Sequence, residues 1–255
     1  MTERPILFSG PMVRALLDGR KTQTRRIVKP PAKWAERFPI CKPSGMAAPH
    51  EIWWWDGEFD RVGASQTSPY GMPGDTLWVK ETWHPRAARA DWDLDIRYAA
   101  DGEIRTIKDG EFGERDWTMP KAAARGNVSP LFMPRWASRL TLAITGVRCE
   151  RLQDISREDA IAEGATSRPE AARGGRDDGW SMDWSRVGTP GFDGRPLQAR
   201  DISLNDPQSA FANFINELHG GPRWNYYYNG DSRYPQPIFD ANPWVWVVTF
   251  DVKNA

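Results

Sequence analysis

The sequence predicts a mixed α+β domain that is mainly β: a small, mostly antiparallel barrel with short helices plugging its ends and long loop insertions. Three observations carry that expectation. Six or seven short apolar or alternating runs read as strands, against three short amphipathic helices. The order is β-α-β, then strands, then β-α, then α-β, so no βαβ series repeats and a doubly wound sheet is disfavoured. The 21 prolines and 22 glycines imply many turns.

Pro5-Ile6-Leu7-Phe8 reads as a buried strand, and Ser9 is placed to cap the helix that follows, with Pro11 in its first turn. Val13, Leu16 and Leu17 recur at i, i+3 and i+4 and are expected on its buried face. Gly19 suits a left-handed helix end. Thr22 to Val28 reads as a second strand, with Thr22, Thr24 and Arg26 on one face. Residues 32 to 72 lack a sustained period; Trp53 to Gly57 fits a strand and turn, but the segment reads foremost as a loop packed over the core by its tryptophans, turn-rich from Gly63 to Pro73.

Thr76 to Trp83 alternates, with Leu77, Val79 and Trp83 on one face and Glu81 among them. An acid on an apolar face needs a partner when buried. Ile96 to Ala99 and Ile104 to Ile107 flank Asp101-Gly102 as a hairpin. Residues 118 to 132 read as loop. Leu140 to Thr145 is a strand, interrupted at Gly146 as at a bulge.

Ser156 caps a helix from Arg157 to Glu163, closed by Gly164. Glu163 sits in its last turn, where the helix dipole disfavours an acid. Residues 165 to 205 are polar and without a period, and are expected to be a mobile insertion. Asp206-Pro207 opens a helix with Phe211, Phe214, Ile215 and Leu218 on its core face. Residues 222 to 241 form a Tyr-rich loop, and Trp244 to Phe250 is a strand covered on both faces.

Composition narrows function by exclusion. The chain has 255 residues and 40% hydrophobic content including 14 tryptophans, enough for a packed core. Lys+Arg and Asp+Glu are both 34, so nucleic-acid binding through bulk charge is excluded and a local patch is what remains. Cys41 and Cys149 read as free thiols of a cytoplasmic protein, and no run approaches a membrane span. His50, His84 and His219 do not pair with other ligands at metal-binding spacing, and no dinucleotide fingerprint is present, so neither metal nor cofactor is expected.

The densest functional signal is Gly19-Arg20-Lys21-Thr22-Gln23-Thr24-Arg25-Arg26. Its bland reading is a solvated basic turn after a helix. Its functional reading is a donor set beside a hydroxyl nucleophile. A threonine hydroxyl needs a base, and a lysine becomes one when burial or neighbouring cations lower its pKa. Lys21, Thr24 and Glu163 together would make an amide-hydrolysis set, with the carboxyl protonating the leaving nitrogen.

Pro5 to Ser9, Met12 to Leu16, Gly19 to Arg26, Gly74 to Glu81, Met133 to Arg139, Leu152 through Gly164 and Asn242 to Val247 carry a resemblance. The chain resembles ASCH-domain proteins, relatives of the PUA-like RNA-binding barrels, and in particular the longer ASCH proteins of phages and prophages. The resemblance covers roughly half the chain and implies one barrel over residues 1–255 with a cleft beside Gly19 to Arg26. Insertions fall at about 32–72, 84–132 and 165–240, which make the chain more than twice as long as a bacterial branch that hydrolyses N4-acetylcytidine. By that likeness Thr24 is the nucleophile, Lys21 its base and Glu163 the proton donor, the last by an ungapped match from Leu152.

Two readings follow. One is an amidohydrolase of N4-acylated cytosine or cytidine. The other is a module that binds a modified nucleobase or RNA without turnover, as in a phage accessory protein. Thr22, Arg25, Arg26, Trp78, Glu81 and Trp83 are the candidate binding residues in either, the arginines for phosphates and a tryptophan for stacking a base.

Overall fold

The computed structural model describes residues 1–29, 40–43, 49–56, 61–87, 93–108, 111, 118–172, 178–191, 194–219 and 237–254. The chain starts with β1 (Glu3–Leu7), α1 (Gly10–Leu17) and β2 (Gln23–Ile27). Next come β3 (Ile40–Pro43), β4 (Glu51–Asp56), β5 (Arg61–Thr67), β6 (Thr76–Lys80), β7 (Trp83–Ala87), β8 (Leu94–Tyr98) and β9 (Ile104–Ile107). After three short 3-10 turns follow β10 (Leu140–Arg151), α2 (Arg157–Ala162), β11 (Thr166–Arg168) and β12 (Gly179–Ser181). The chain ends with α3 (Ala199–Ile202), α4 (Pro207–Leu218), α5 (Pro237–Asp240) and β13 (Trp244–Asn254). The protein is therefore mixed α+β and mostly strand. Among the described residues no helix is long and apolar enough to cross a membrane.

Two compact units emerge. The first comprises Met1–Gly19, Tyr70–Thr145 and Phe250–Ala255; the second comprises Arg20–Pro69 and Gly146–Thr249. In the first, β1 runs parallel to β6 with Ile6 opposite Val79, and β10 runs antiparallel to β6 with Leu142 opposite Leu77. The apolar face that alternation predicts is realised, because Ile6, Leu77, Val79 and Leu142 are all buried. In α1, Val13 and Leu16 are buried as expected, but Leu17 is 41% exposed and Met12 and Ala15 complete the buried face instead. Ser9 holds the N-cap position, yet its hydroxyl makes no capping bond. The hairpin at Asp101-Gly102 forms as β8 and β9, with β7 added to it, over a cluster of Trp83, Ile96, Tyr98, Val128 and Met133.

In the second unit, β2 pairs antiparallel with β13, and Val245 and Val247 pack with Leu152, Ile155, Phe211 and Ile215 of the α2 and α4 region. Asp206 caps α4 as its sequence predicts, accepting from the Ser209 N–H at 2.7 Å. Phe211 and Ile215 are buried, while Leu218 is 43% exposed. Fully burying one such side chain stabilises by about 1.5–3 kcal/mol, so α4 owes its position to these few residues. The loop expected over 32 to 72 contains a three-stranded antiparallel meander, β3-β4-β5, with Trp53 opposite Lys42 and Ser65. Residues 165 to 205 contain the β11–β12 hairpin and α3, while 173–177 and 192–193 of that stretch lie outside the described residues. So does the Tyr-rich run through residue 236.

β10 and β13 pass through both units. The strand order is β1-β6-β10 in the first and β10-β13-β2 in the second. Among the described residues β1 and β2 each have one strand neighbour, so the strands do not close into the expected barrel. β10 also continues through Gly146 to Arg151. Glycine is suited to that position by proximity: a Cβ there would lie 2.5 Å from Thr249 Oγ1.

Candidate active site

The second unit holds the basic element. Gly19, at φ +69°, turns the chain out of α1 at no steric penalty. The Thr22 N–H then donates to the Ala162 carbonyl at 2.9 Å, tying the segment to the end of α2. Ser156 starts that helix as expected, accepting from the Asp159 N–H at 3.0 Å, and Gly164, at φ +114°, follows it.

Lys21 and Glu163 meet at this junction. Lys21 Nζ donates to Glu163 Oε2 at 2.6 Å and to the Glu163 carbonyl at 2.9 Å. Both side chains are out of solvent, at 0% and 1% exposure. Arg20 donates to the Gly164 carbonyl at 2.8 Å. Two cations thus cover the carbonyl end of α2, which resolves the unfavourable placement of an acid in its last turn. Burial pulls the Lys21 pKa down most strongly. The Glu163 carboxylate opposes it, Arg26 and Arg25 reinforce it, and the net shift is below the ordinary lysine value.

Arg25 is equally buried and is engaged by acids. Its Nη1 donates to Glu163 Oε1 at 3.4 Å and its Nη2 to Asp159 Oδ2 at 2.8 Å and to Glu150 Oε1. Arg148 bridges the same two acids, Glu150 at 2.9 Å and Asp159 at 3.1 Å. Gln23 donates to Asp159 Oδ1 at 3.0 Å and to its carbonyl at 2.8 Å. Burial pushes the Asp159 carboxyl up, but Gln23, Arg25 and Arg148 outweigh it and leave its pKa lowered. Lys21, Arg25 and Arg148 thus meet Glu150, Asp159 and Glu163 in a charge-balanced network. A single buried ion left unpaired costs several kcal/mol, so the balance matters.

Strand register sorts the remaining residues. In the β2–β13 pair, Thr24 is opposite Val248 and Arg26 opposite Trp246, while Arg25 is opposite Val247. Alternation therefore places Thr24 and Arg26 on one face, as expected, and Gln23 and Arg25 on the other. Thr24 is fully buried and its hydroxyl has no hydrogen-bond partner. A buried polar group left so costs about 1–3 kcal/mol. Arg26 is half-buried, and Thr22 is exposed.

The other sequence candidates lie in the first unit. Glu81 is 2% exposed and accepts a two-pronged bond from Arg139, at 2.9 and 3.0 Å, so it has the partner that its burial demands. Burial raises its pKa, with Arg139 pulling the other way. Arg139 also meets Asp101 at 2.8 Å and lies 4.0 Å over the Tyr98 ring, so it joins the hairpin to the end of β6. Trp83 is buried in the core, edge-on to Trp136 at 6.3 Å. Trp78 is half-buried and flanked by Lys80 at 5.4 Å and Arg135 at 6.0 Å. A groove of about 720 Å³ in this unit is lined by His84, Arg86, Met119 and Lys121 among others, none of them a sequence candidate. Its His84 ring is already within 3.1 Å of the Ala123 carbonyl.

The structure thus brings Lys21 and Arg25 onto the two oxygens of the Glu163 carboxylate, while the Thr24 hydroxyl, three residues after Lys21 on a buried strand, hydrogen-bonds to neither Lys21 nor Glu163. Sequence reading missed Asp159, Glu150 and Arg148. Asp159 had a signal, since it lies four residues before Glu163 on the same helical face. Glu150 and Arg148 alternate on one face of β10, a pattern that does not reveal its partner. Among the described residues no group of three His, Cys, Asp or Glu side chains is arranged to hold a metal ion. Compared with protein-family models, curated proteins and solved structures, the chain matches none.

Proposed function

We propose that the chain is an amidohydrolase acting on N4-acylated cytosine or cytidine. The observation that carries the reading is the buried Lys21–Glu163 contact, with the Lys21 pKa lowered and an unpartnered Thr24 hydroxyl three residues on. Burial that lowers a lysine pKa makes its proton easier to give up and the amine easier to use as a base, and a buried hydroxyl with no partner is ready for one.

In the proposed reaction, a proton of Lys21 first passes to Glu163 across their 2.6 Å contact, and Thr24 Oγ1 then bonds to the acyl carbonyl carbon while its own proton passes to Lys21 Nζ. The bond from that carbon to N4 then breaks, and the amine nitrogen takes a proton from the Glu163 carboxyl group. That leaves Lys21 protonated and Glu163 ionised, which is the buried ion pair of the resting site. Water hydrolyses the acyl-threonine ester, releasing the carboxylic acid and restoring the hydroxyl. Arg25 fixes the second oxygen of Glu163, which leaves Oε2 to Lys21. The matching fold proposal is a PUA-like (ASCH) arrangement, supported by the helix-then-strand layout around Gly19 to Arg26. The cytoplasm is the proposed compartment, and RNA bearing the modified base a proposed further partner.

The test is incubation with N4-acetylcytidine, following release of cytidine. Thr24→Ala should abolish release and Thr24→Ser retain part of it. Lys21→Arg should fail nearly as badly as Lys21→Ala, because guanidinium stays protonated. Loss of such a proton transfer is worth ~10²–10⁴ in rate. Wild-type turnover in Lys21→Arg would remove Lys21 as the base.

A second reading, a pocket that holds a modified nucleobase without turnover, draws on one observation. The alternation of β2 turns Thr24 to the face opposite Arg25, which is the residue that meets Glu163. It predicts near-normal ligand affinity in Lys21→Arg and no cytidine release from any variant.

A further inference from the structure

Trp246 Nε1, Trp244 Nε1 and Thr24 Oγ1 are among the buried polar atoms on one face of β2 and β13 that have no hydrogen-bond partner within the protein. Register puts them together. Val248 stands opposite Thr24 and Trp246 opposite Arg26. The Val28 N–H donates to the Trp244 carbonyl, which continues the same pairing. Alternation then collects Thr24, Arg26, Val28, Trp244, Trp246 and Val248 on a single face. Trp246 is the diagonal neighbour of Thr24 there, a separation that an aromatic side chain spans.

Chemistry narrows what this face receives. An indole N–H is a donor and never an acceptor. The neighbours on the face do not accept either, since Val28 and Val248 are apolar and a guanidinium has donors alone. Thr24 Oγ1 is the acceptor available, and neither indole engages it. More than nine in ten buried polar groups in native proteins are paired. Trp246 is 1% exposed, so its donor is turned away from the outer surface. Indole donors are neutral and their rings are flat and apolar. Flat rings with N–H donors suit a planar ligand that carries a carbonyl acceptor, and two cations stand beside them, Arg26 on the same face and Arg151 at 4.4 Å over the Trp244 ring.

We infer that Trp246 Nε1–H is a recognition donor for the acyl carbonyl oxygen of a flat acylated base, with Trp244 as a second donor on the same face. The inference rests on the nucleobase reading of the Thr24 site. It adds the residue that distinguishes an acylated base from a free one, because removing the acyl group removes the oxygen that Trp246 holds.

The experiment uses the full chain with ¹⁵N-labelled tryptophan and the probes N4-acetylcytidine and cytidine. Binding is measured in a Thr24→Ala background to prevent turnover, and kcat and KM are measured with Thr24 present. Trp246→Phe keeps an aromatic ring and deletes the donor. It should weaken N4-acetylcytidine about tenfold, the effect of one lost buried hydrogen bond, and leave cytidine within about twofold. The effect should fall on KM. The indole resonance that disappears in Trp246→Phe identifies Trp246, and in the unsubstituted protein that resonance should shift on adding N4-acetylcytidine. This readout stands even if the variant folds poorly. Failure of N4-acetylcytidine to bind, or equal binding to both proteins with the resonance unmoved, overturns the inference. Trp246-dependent binding without turnover in the wild type ends the hydrolase reading and upholds this one. Turnover with unchanged KM in Trp246→Phe does the reverse.

Discussion

Glu163→Gln is the most informative single substitution for the architecture of the site. Glutamine has nearly the shape of glutamate and can still accept from Lys21 Nζ, so the change removes charge and little else. In the native protein Oε2 is 2.6 Å from Lys21 Nζ and Oε1 is 3.4 Å from Arg25 Nη1, all of it sequestered from solvent. Breaking a buried ion pair by removing one partner costs about 3–5 kcal/mol, because the remaining charge stays desolvated. For a chain of this size one kcal/mol moves the melting midpoint by about 2–4 °C, so Glu163→Gln should lower it by roughly 6–20 °C. Arg25 retains Asp159 and Glu150, which places the burden on Lys21. Lys21→Met added to Glu163→Gln should therefore restore part of the loss, a coupling of at least ~1.5 kcal/mol in a double-mutant cycle. Urea unfolding followed by tryptophan fluorescence and by circular dichroism measures each corner of the cycle. A loss below ~1 kcal/mol for Glu163→Gln, with the two substitutions simply additive, would refute the claim that this pair is buried and mutually dependent.

The same pair has a pH signature. The folded Lys21 pKa lies below 10.5, with burial as the main cause. In the window between the lowered value and 10.5 the unfolded chain therefore binds more protons than the folded one. Stability rises with pH wherever that holds. Measured against Lys21→Met, the wild type should gain stability as pH is raised toward 10.5, and a flat difference would contradict the assigned burial.

Three other outcomes are expected. Asp159 has a lowered folded pKa, so its contribution is present above the ordinary value of 3.8 and is lost as pH falls through the folded one; Asp159→Asn should destabilise at pH 7, and the gap from wild type should narrow as acid unfolding is carried below 3.8. Gly146→Ala should cost about 1–3 kcal/mol by overpacking, since the new Cβ would sit 2.5 Å from Thr249 Oγ1 on a stiff β-branched side chain; Thr249→Ala in the same chain should relieve it, as read by thermal melting. Arg139→Met leaves Glu81 buried without its two-pronged partner, and should destabilise far more than Arg135→Met, whose pair with Glu3 is exposed on both sides.

Local rules made part of this molecule legible. A glycine after an amphipathic run marks the end of α1, because a left-handed residue is needed there. Ser156 and Gly164 bracket α2 for similar reasons, alternation identifies the buried face of β6, and an almost unbroken apolar run marks β13 as covered on both faces. The illegible parts are long-range or lack a period. Trp53, Trp54 and Trp55 run consecutively, so period two vanishes, and the partner strand at 61–67 is largely polar; a meander then looks like a loop. Leu17 fits the helical spacing of a core residue, yet it is the last residue of α1, and Met12, Val13, Ala15 and Leu16 already supply the buried face. The partner of Glu81 lies 58 residues away in sequence, and the need for a partner was readable where its identity was not.

The chemistry of the site is divided by one strand. Gln23 and Arg25 point into the carboxylate network of α2 and β10, while Thr24 and Arg26 point toward the tryptophan donors of β13. Lys21 lies ahead of the strand, outside its pleat, and the regular alternation does not assign it to either face. A strand so divided makes a sharp prediction for paired substitutions. Thr24→Ser and Arg25→Lys act on opposite faces without shared partners, so their effects on stability should add within ~0.5 kcal/mol. Lys21→Met and Thr24→Ser should not add in turnover, because a base and the hydroxyl it serves act as a unit. Additivity in both pairs would mean that Lys21 belongs wholly to the carboxylate face, and the non-catalytic pocket would then be the better reading of the site.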